Sequence, residues 1–410
     1  MERIYTTAIV GGGAAGLFLA TLLNENDIAV FERNERVGRK LSATGNGQGN
    51  VTNVHAKTTP YFSLSSGGAR AQTLVQKYDD TSLCAHLERC GLLLVSDERG
   101  RVYPAGRQAS AITDALRFRA AQKGAEIFTD TQITGIEKRN GLFVLTARTK
   151  SGERQYLAKT VALCAGGNAA KNFGTDGAAY ALAQKFGHTR TALFPSLVQL
   201  KTDTTHIKTL KGIRVSPARV TAAWREGNAE RSETQEGDVI FTDYGVSGDV
   251  VFRLSAFFAD KLENGVRLYI DLLPAFTEER IERALREKRE NFPETSDGEL
   301  LCGMLNNQVA RAVVKSSERF EPRAVAKRAK AFPLDVKGTL GFDYAQVTKG
   351  GIPLSETDEN LQSKLVDGLY FAGEILDVDG PCGGFNLQWA YSSACAVAEG
   401  IENAKRRGQV

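Results

Sequence analysis

Gly11-Gly12-Gly13-Ala14-Ala15-Gly16 follows directly on the apolar run Ile4-Tyr5-Thr6-Thr7-Ala8-Ile9-Val10 and opens an apolar stretch that runs to about residue 24. A second apolar run, Ile28-Ala29-Val30-Phe31, ends at Glu32. Strand, glycine turn, helix, strand and acid in this order predict a βαβ unit with parallel strands. In such a unit Gly11 permits the tight turn, Gly13 lets the backbone approach a pyrophosphate, and Gly16 lets helix and strand pack closely. The amides of Gly13, Ala14, Ala15 and Gly16 would meet the phosphates at the helix N-terminus. Glu32 stands where a carboxylate accepts hydrogen bonds from ribose hydroxyls and repels a 2′-phosphate. A lone G-x-G-x-x-G is weak evidence. In this setting it predicts an α/β, Rossmann-like dinucleotide-binding domain.

The fingerprint alone does not separate FAD from NAD. The segment after Glu32 helps: Arg33-Asn34-Glu35-Arg36-Val37-Gly38-Arg39-Lys40-Leu41-Ser42-Ala43-Thr44-Gly45-Asn46-Gly47-Gln48-Gly49-Asn50-Val51-Thr52-Asn53. Nicotinamide dehydrogenases usually continue here into another βα unit. This chain gives basic residues and then small and amide residues. Arg33, Arg39 and Lys40 are candidates for phosphate. Thr44, Gly45, Asn46, Gly47, Asn50 and Thr52 are candidates for the polar edge of a flavin, with a solvated turn as the plain alternative. Near the other end comes Phe371-Ala372-Gly373-Glu374, then Asp377-Val378-Asp379-Gly380-Pro381-Cys382-Gly383-Gly384-Phe385-Asn386-Leu387-Gln388. A buried strand, an acid, a glycine turn and a helix near Leu387 predict a second phosphate- or flavin-facing site, drawn from Gly373, Glu374, Asp379, Gly384, Phe385, Asn386 and Leu387. An ordinary strand–turn–helix is the plain alternative; the distance from the N-terminal motif argues for a site completed by both chain ends.

Between these ends, helical periodicity is expected over 70–91, 107–123 and 177–187. Asn140-Gly141 predicts a hairpin joining 132–139 to 142–149, followed by a strand ending near Tyr156 and a separate buried strand at 160–164. Ala165-Gly166-Gly167-Asn168 lacks a full second fingerprint. Gly166 is therefore expected to close the FAD site, with NAD(P)H a transient visitor at most. Residues 194–274 read as β-rich, 277–319 as helical and charged, and 387–405 as a final helix. The domains expected are 1–191 with 342–410, an inserted β-rich domain over 192–274, and a helical module over 275–341.

The 410 residues are 42% hydrophobic, which suits a globular chain of two or three domains. No apolar run approaches the roughly 18 residues of a membrane span. Six cysteines and four histidines show no metal-ligand spacing, so no metal is expected. Together with an N-terminus that passes straight into a strand, they predict a cytoplasmic protein with reduced thiols.

These motifs resemble the bacterial flavoproteins that include aminoacetone oxidase and the 3-dehydro-bile-acid reductases. The resemblance rests on G-G-G-A-A-G, the Gly38-Arg39-Lys40 step, Ala43–Asn53, Thr348-Lys349-Gly350-Gly351, Phe371-Ala372-Gly373-Glu374 and Cys382–Gln388, and covers essentially the whole chain. It implies FAD, a two-part nucleotide domain, an inserted β-barrel-like module and a small helical module. It also implies that Glu32 meets the adenosine ribose, that the backbone at Ile133 meets adenine, and that Asp379, Asn386 and Leu387 lie near flavin and phosphates. One departure stands out. The family pattern reads G-R-C-N where this chain has Gly47-Gln48-Gly49-Asn50, so no role for that cysteine transfers.

The activity expected is FAD-dependent hydride transfer on a small organic substrate, as NAD(P)H-linked reduction or amine oxidation. No general base stands out, and Tyr391 and Asp379 are candidates by position only. Arg311, Lys315, Arg319, Arg323, Lys327, Arg328, Lys330 and Lys337 outnumber Glu318, Glu321 and Asp335 in one stretch. A solvated helical face explains this most simply. An RNA-contacting surface is the alternative, and the resemblance keeps it open because relatives reduce a uracil. A flavin-binding partner protein without turnover is the third reading.

Overall fold

The computed structural model describes residues 3–24, 26–317 and 321–408. The chain divides into two compact units, Met1–Phe194 with Val347–Val410, and Pro195–Gln346.

The first unit is built on a seven-stranded sheet. Its strands are β1 (Ile4–Val10), β2 (Ile28–Phe31), β3 (Glu126–Phe128), β4 (Gln132–Arg139), β5 (Leu142–Thr149), β6 (Gly152–Leu163) and the strand Leu369–Phe371. The order is β3-β2-β1-β6-β5-β4, with Leu369–Phe371 also paired to β6. The buried runs at 7–10, 28–31 and 160–163 are what a parallel sheet covered on both faces requires. Register aligns the strand ends: Val10 pairs with Phe31 and Leu163, Phe31 with Phe128, and Leu163 with Phe371. The segments after residues 10, 31, 128, 163 and 371 therefore all leave from one carboxyl edge, where ligands of such sheets bind.

Sequence periodicity split β6 in two, near Tyr156 and at 160–164. It is one strand. Its first part pairs antiparallel with β5 (Thr149↔Gly152 to Phe143↔Ala158), and its second runs parallel to β1 (Ile4↔Leu157 to Val10↔Leu163). The helices of this unit are α1 (Ala14–Leu22), α2 (Gly68–Lys77), α3 (Asp80–Arg89), α4 (Ala109–Gln122), α5 (Ala178–Gln184) and the C-terminal helix Phe385–Arg406. The helix expected over 70–91 is broken because Asp79 caps α3, its side chain accepting from the Ser82 amide at 2.8 Å. Residues 15–21 of α1 are all buried, as are Gln388 to Ala398 of the C-terminal helix, and both belong to one apolar core.

The second unit is a closed six-stranded barrel with helices. Its strands are β7 (Leu200–Thr202), β8 (Arg214–Glu226), β9 (Ala229–Phe241), β10 (Gly245–Ser247), β11 (Arg267–Asp271) and β12 (Phe332–Thr339), in the order β7-β10-β9-β8-β11-β12. Helices α6 (Asp249–Phe258), α7 (Glu278–Asn291), α8 (Asn307–Ser316) and α9 (Pro322–Lys330) complete it. The stretch 275–341 is thus not a purely helical module. β12 supplies the strand that closes the barrel, and Ile281, Leu285, Val313 and Val325 share one core with Leu268, Ile270 and Phe332.

Candidate functional site

The glycine loop leaves β1 at the carboxyl edge. Gly11 has φ +109°, and a Cβ there would lie 2.6 Å from Ala165 Cα, so only glycine lets the loop cross the end of β6. A Cβ on Gly16 would overlap the Gly11 carbonyl and press on Ile9 at 3.2 Å. Gly13 differs: nothing lies within 4 Å of where its Cβ would be. α1 starts there with no side-chain cap and no acidic residue in its first turn. Its first amides and this open space make a cradle for an anion.

Glu32 leaves β2 beside the loop and is buried. Its carboxylate accepts from the Gly12 amide (3.0 Å), the Asn34 amide (2.8 Å) and Asn34 Nδ2 (2.6 Å). It therefore fixes the loop, and Oε2, which accepts from the Gly12 amide, keeps further acceptor capacity for a sugar hydroxyl, while Oε1 already accepts both Asn34 bonds. The Glu32 amide donates to Phe128 O (2.8 Å) and the Thr131 amide to Glu32 O (2.9 Å), which draws the start of β4, with Ile133, to the same edge.

The basic candidates are engaged with protein groups. Arg33 pairs with Asp176 (2.6 Å), Arg39 donates to Asn34 Oδ1 (2.9 Å) and Asn172 O (3.0 Å), and Lys40 pairs with Glu374 (2.7 Å). Glu374 also accepts from the Thr348 amide (3.0 Å). The Lys40–Glu374 pair thus ties the N-terminal segment to the C-terminal motif.

Residues 44–50 form a tight loop in which Gly45, Asn46 and Gly47 take left-handed φ values. Thr44 Oγ1 donates to Leu41 O (2.7 Å). The Asn50 amide group, a candidate for the flavin edge, donates to the Thr52 (3.0 Å) and Val102 (3.1 Å) carbonyls and so shapes the loop. Thr52 Oγ1 donates to Gln388 Oε1 (2.5 Å). Gly384, with φ +99°, packs its backbone on Thr52, and a Cβ there would overlap the Thr52 carbonyl. The C-terminal helix starts at Phe385 with no side-chain cap. Asn386 pins the preceding turn: Oδ1 accepts from the Gly380 amide (2.8 Å) and Nδ2 donates to Gly380 O (2.8 Å). Gly373 comes so near α1 that a Cβ on it would lie 2.8 Å from Ala15 Cβ. Both chain ends therefore build one locus, and it includes Gly166, in the segment 164–167 that leaves β6 at this edge with φ +75°.

Three residues that periodicity missed hold this locus. Thr348 Oγ1 accepts from the amides of Asn168 (2.7 Å) and Ala169 (2.8 Å). Asp377, fully buried, accepts from Ser63 Oγ (2.9 Å), the amides of Leu64 (3.1 Å) and Ser65 (2.7 Å), and Ser65 Oγ (2.5 Å). Lys349 is buried beside the Phe62 ring. The only local signal for them was the T-K-G-G turn and the acid after Leu376. Of the base candidates, Tyr391 faces elsewhere. Its hydroxyl donates to Ser82 O (3.1 Å), its ring packs on Phe18, and burial raises its pKa. Asp379 is fully buried and pairs by backbone with Phe62. Burial pushes the Cys164 and Cys395 thiols up to about 12, which leaves them unreactive.

His188 lies 2.7 Å from both Glu356 Oε2 and Ser363 Oγ, the spacing of a nucleophile relay. Ser363, however, is buried and its Oγ accepts from the amides of Leu365 and Val366 (both 3.0 Å). This network is a brace between segments.

Residues 5–400 match the family model described as HI0933-like protein Rossmann domain. The chain belongs to the HI0933-like family. It is 31% identical to a 3-dehydro-bile acid delta(4,6)-reductase of Clostridium scindens over 96% of this chain and 97% of that protein. It is 25% identical to a ribosomal RNA dihydrouridine synthase of Haemophilus influenzae over 98% and 99% of the two chains. Among solved structures, a 3-ketosteroid-delta4-(5alpha)-dehydrogenase of Rhodococcus jostii matches 97% of this chain and 98% of its own at TM-score 0.52 and 16% identity. A quinol fumarate reductase of E. coli matches 100% and 72% at TM-score 0.52 and 17% identity. At such identity these two show the shared fold. This member of the HI0933-like family is an FAD-dependent oxidoreductase. The anion cradle at Gly13, the acid at the end of β2 and the uncapped C-terminal helix fit the cofactor. Among the described residues, no helix is long and apolar enough to cross a membrane.

Proposed function

We propose that this enzyme reduces a carbon–carbon double bond conjugated to a carbonyl in a small organic substrate, with NADH or NADPH as the electron source. The observation that carries the reading is the single locus that both chain ends build at the carboxyl edge, with Gly13 open on one side and the uncapped helix at Gly384–Phe385 on the other. Bound FAD supplies hydride transfer; the protein supplies position and field. Gly11, Gly13, Ala14, Ala15 and Gly16 hold the pyrophosphate through backbone amides, and Glu32 and the backbone at Ile133 hold the adenosine. Thr44–Asn50, Asp379 and Gly384–Leu387 enclose the ring. Arg33, Arg39, Lys40 and Glu374 act through the ion pairs and hydrogen bonds that fix the loops. The relatives' names support the substrate class. Saturating a delta(4,6) dienone and saturating a uridine both place hydride on an electrophilic carbon conjugated to a carbonyl, the β carbon in uridine and the β or vinylogous δ carbon in the dienone. The reading keeps the enzyme in the cytoplasm, where nicotinamide cofactors occur and the six cysteines stay reduced.

The RNA reading has one observation of its own. Arg311 and Lys315 on α8, Arg323 and Lys327 on α9, and Lys337 on β12 are exposed and form no ion pair among the described residues. Lys330 is excluded from this surface by its pairing with Asp271 (2.6 Å), and Arg319 lies outside the described residues. Anaerobic mixing decides between them. Flavin bleached by NADH or NADPH and restored by a 3-keto-Δ4,6 steroid supports the small-molecule reading. Restoration by a uridine-containing RNA alone, lost when Arg311, Lys315 and Lys327 are all changed to Glu, replaces it with the RNA reading.

A further inference from the structure

Arg107 closes the turn at 104–107, its amide donating to Pro104 O (2.8 Å), and it holds φ +47°, a left-handed value that strains a residue of this size. Two bonds fix that turn against the loop assigned to the flavin. Arg107 Nη1 donates to Gln48 Oε1 (3.0 Å), and the Ala109 amide donates to Gly47 O (2.8 Å). The Arg107 guanidinium lies 4.4 Å from the centroid of the Tyr103 ring. Arg101 faces the same ring at 5.9 Å, but Asp97 answers its charge at 2.7 Å. Arg107 is exposed, and among the described residues no carboxylate pairs with it. The bond to Gln48 uses one guanidinium N–H, and the planar fork keeps donors for a further partner.

The strand Arg101–Pro104 lies in the middle of a three-stranded sheet, between Thr52–Asn53 and the edge strand Leu94–Ser96. Asn53 Nδ2 donates to Gly383 O (3.3 Å), which ties this sheet to the C-terminal glycine turn as well. On the Tyr103 side the sheet edge is apolar and open. Val95 stands directly opposite Tyr103. Leu93, whose carbonyl accepts from the Ala105 amide (2.8 Å), comes two residues earlier on the same face and is 78% exposed. A fixed cation therefore heads an exposed apolar strip next to the flavin loop.

We propose that Arg107 is a specificity-determining residue that binds a carboxylate on the substrate, whose apolar skeleton lies along Val95 and Leu93. The proposal rests on the enone-reductase reading and deepens it: the substrate class is an organic acid, not a neutral enone. A guanidinium takes a carboxylate through two parallel N–H···O bonds, and the Tyr103 ring and Gln48 hold the fork in place for it. The 2′-phosphate of NADPH is the other oxyanion that visits such a site. It is carried on a polar adenosine, which would leave the strip at Val95 and Leu93 uncovered, so the carboxylate is the occupant that fits both halves of the surface.

The test is calorimetric titration of the FAD-loaded protein with 4-phenylbutyrate, 4-phenylbutanol and 2′-AMP. The wild type should bind phenylbutyrate more tightly than phenylbutanol. Arg107→Met should weaken phenylbutyrate by about tenfold or more and leave phenylbutanol unchanged, and Arg107→Lys should keep part of the difference. Arg107→Gly suits the left-handed φ, so it should melt no lower than the wild type while losing the preference for the acid; a purely structural arginine would lower the melting temperature instead. Phenylbutyrate bound no better than phenylbutanol by the wild type overturns the proposal. So does unchanged phenylbutyrate affinity in Arg107→Met, or a loss confined to 2′-AMP. No arm depends on turnover, so a flavin that neither NADH nor NADPH bleaches fails the enone-reductase reading without altering this result. A protein that takes up no FAD fails the flavin reading, and the same titration of the unloaded protein still tests Arg107.

Discussion

Replacing Gly13 with alanine separates the cofactor cradle from the scaffold that carries it. Gly13 has φ −81°, which alanine adopts without strain, and no atom lies within 4 Å of the added carbon. The folding free energy of the apoprotein should therefore move by no more than about 0.5 kcal/mol, since the entropy gained over glycine offsets the poorer cap. A pyrophosphate seated on the α1 amides needs the same space. Pushing it off by the width of a methyl group removes one charge-assisted hydrogen bond, worth about 1.5–3 kcal/mol, which weakens FAD binding by roughly 10- to 150-fold. Gly16→Ala is the contrast. Its Cβ would overlap the Gly11 carbonyl, an overpacking cost of about 1–3 kcal/mol, so it lowers apoprotein stability as well as FAD affinity. Thermal melting of the apoproteins and quenching of flavin fluorescence on titration read the two quantities. Undiminished FAD affinity in Gly13→Ala would refute the assignment of the open space to the pyrophosphate.

Other perturbations report on the supports. Asp377→Asn leaves buried donors facing an amide NH2 and should cost about 2 kcal/mol or more in denaturant unfolding; a neutral effect would deny that the carboxylate organises Ser63–Ser65. Lys330→Met strands the buried Asp271 carboxylate and should destabilise the barrel unit by about 3–5 kcal/mol, partly recovered in the Asp271→Asn double variant. Burial lowers the His86 pKa from 6.5 to about 4, so the folded protein keeps it neutral. Below pH 6.5 the unfolded chain takes up a proton that the folded chain refuses, so this residue's contribution falls by up to about 3 kcal/mol between pH 6.5 and 4. Denaturation of wild type and His86→Gln at pH 7 and 4.5 should show their difference shrinking toward acid; a constant difference rejects that linkage.

Much of the nucleotide unit was legible because its signals are local. The period of β1, the glycines of the turn and Glu32 at the end of β2 lie within 32 residues and need no partner to be read. The pairing of the two ends was legible only as two halves of a motif. What joins them, Lys40 to Glu374 and Thr52 to Gln388, spans more than 330 residues and leaves no local pattern. Asn50 and Asn386 show a related limit. An amide in a glycine-rich turn suits a ligand and a backbone carbonyl equally, and here both side chains bond the backbone. β6 is read as two strands because Glu153, Arg154 and Gln155 are polar where they pair with the edge hairpin, Lys159 and Thr160 interrupt the apolar residues after them, and the run is continuously apolar only over Val161–Leu163. β12 was lost in a helical stretch because its partners, β7 and β11, lie far upstream in sequence.

The most direct test of the central claim is the flavin itself: the purified protein, reconstituted with FAD, is mixed anaerobically with NADH or NADPH and then with a conjugated enone. One FAD bound per chain, bleached by the nicotinamide and restored by the enone, is the predicted result. A protein that cannot be loaded with FAD would contradict the account.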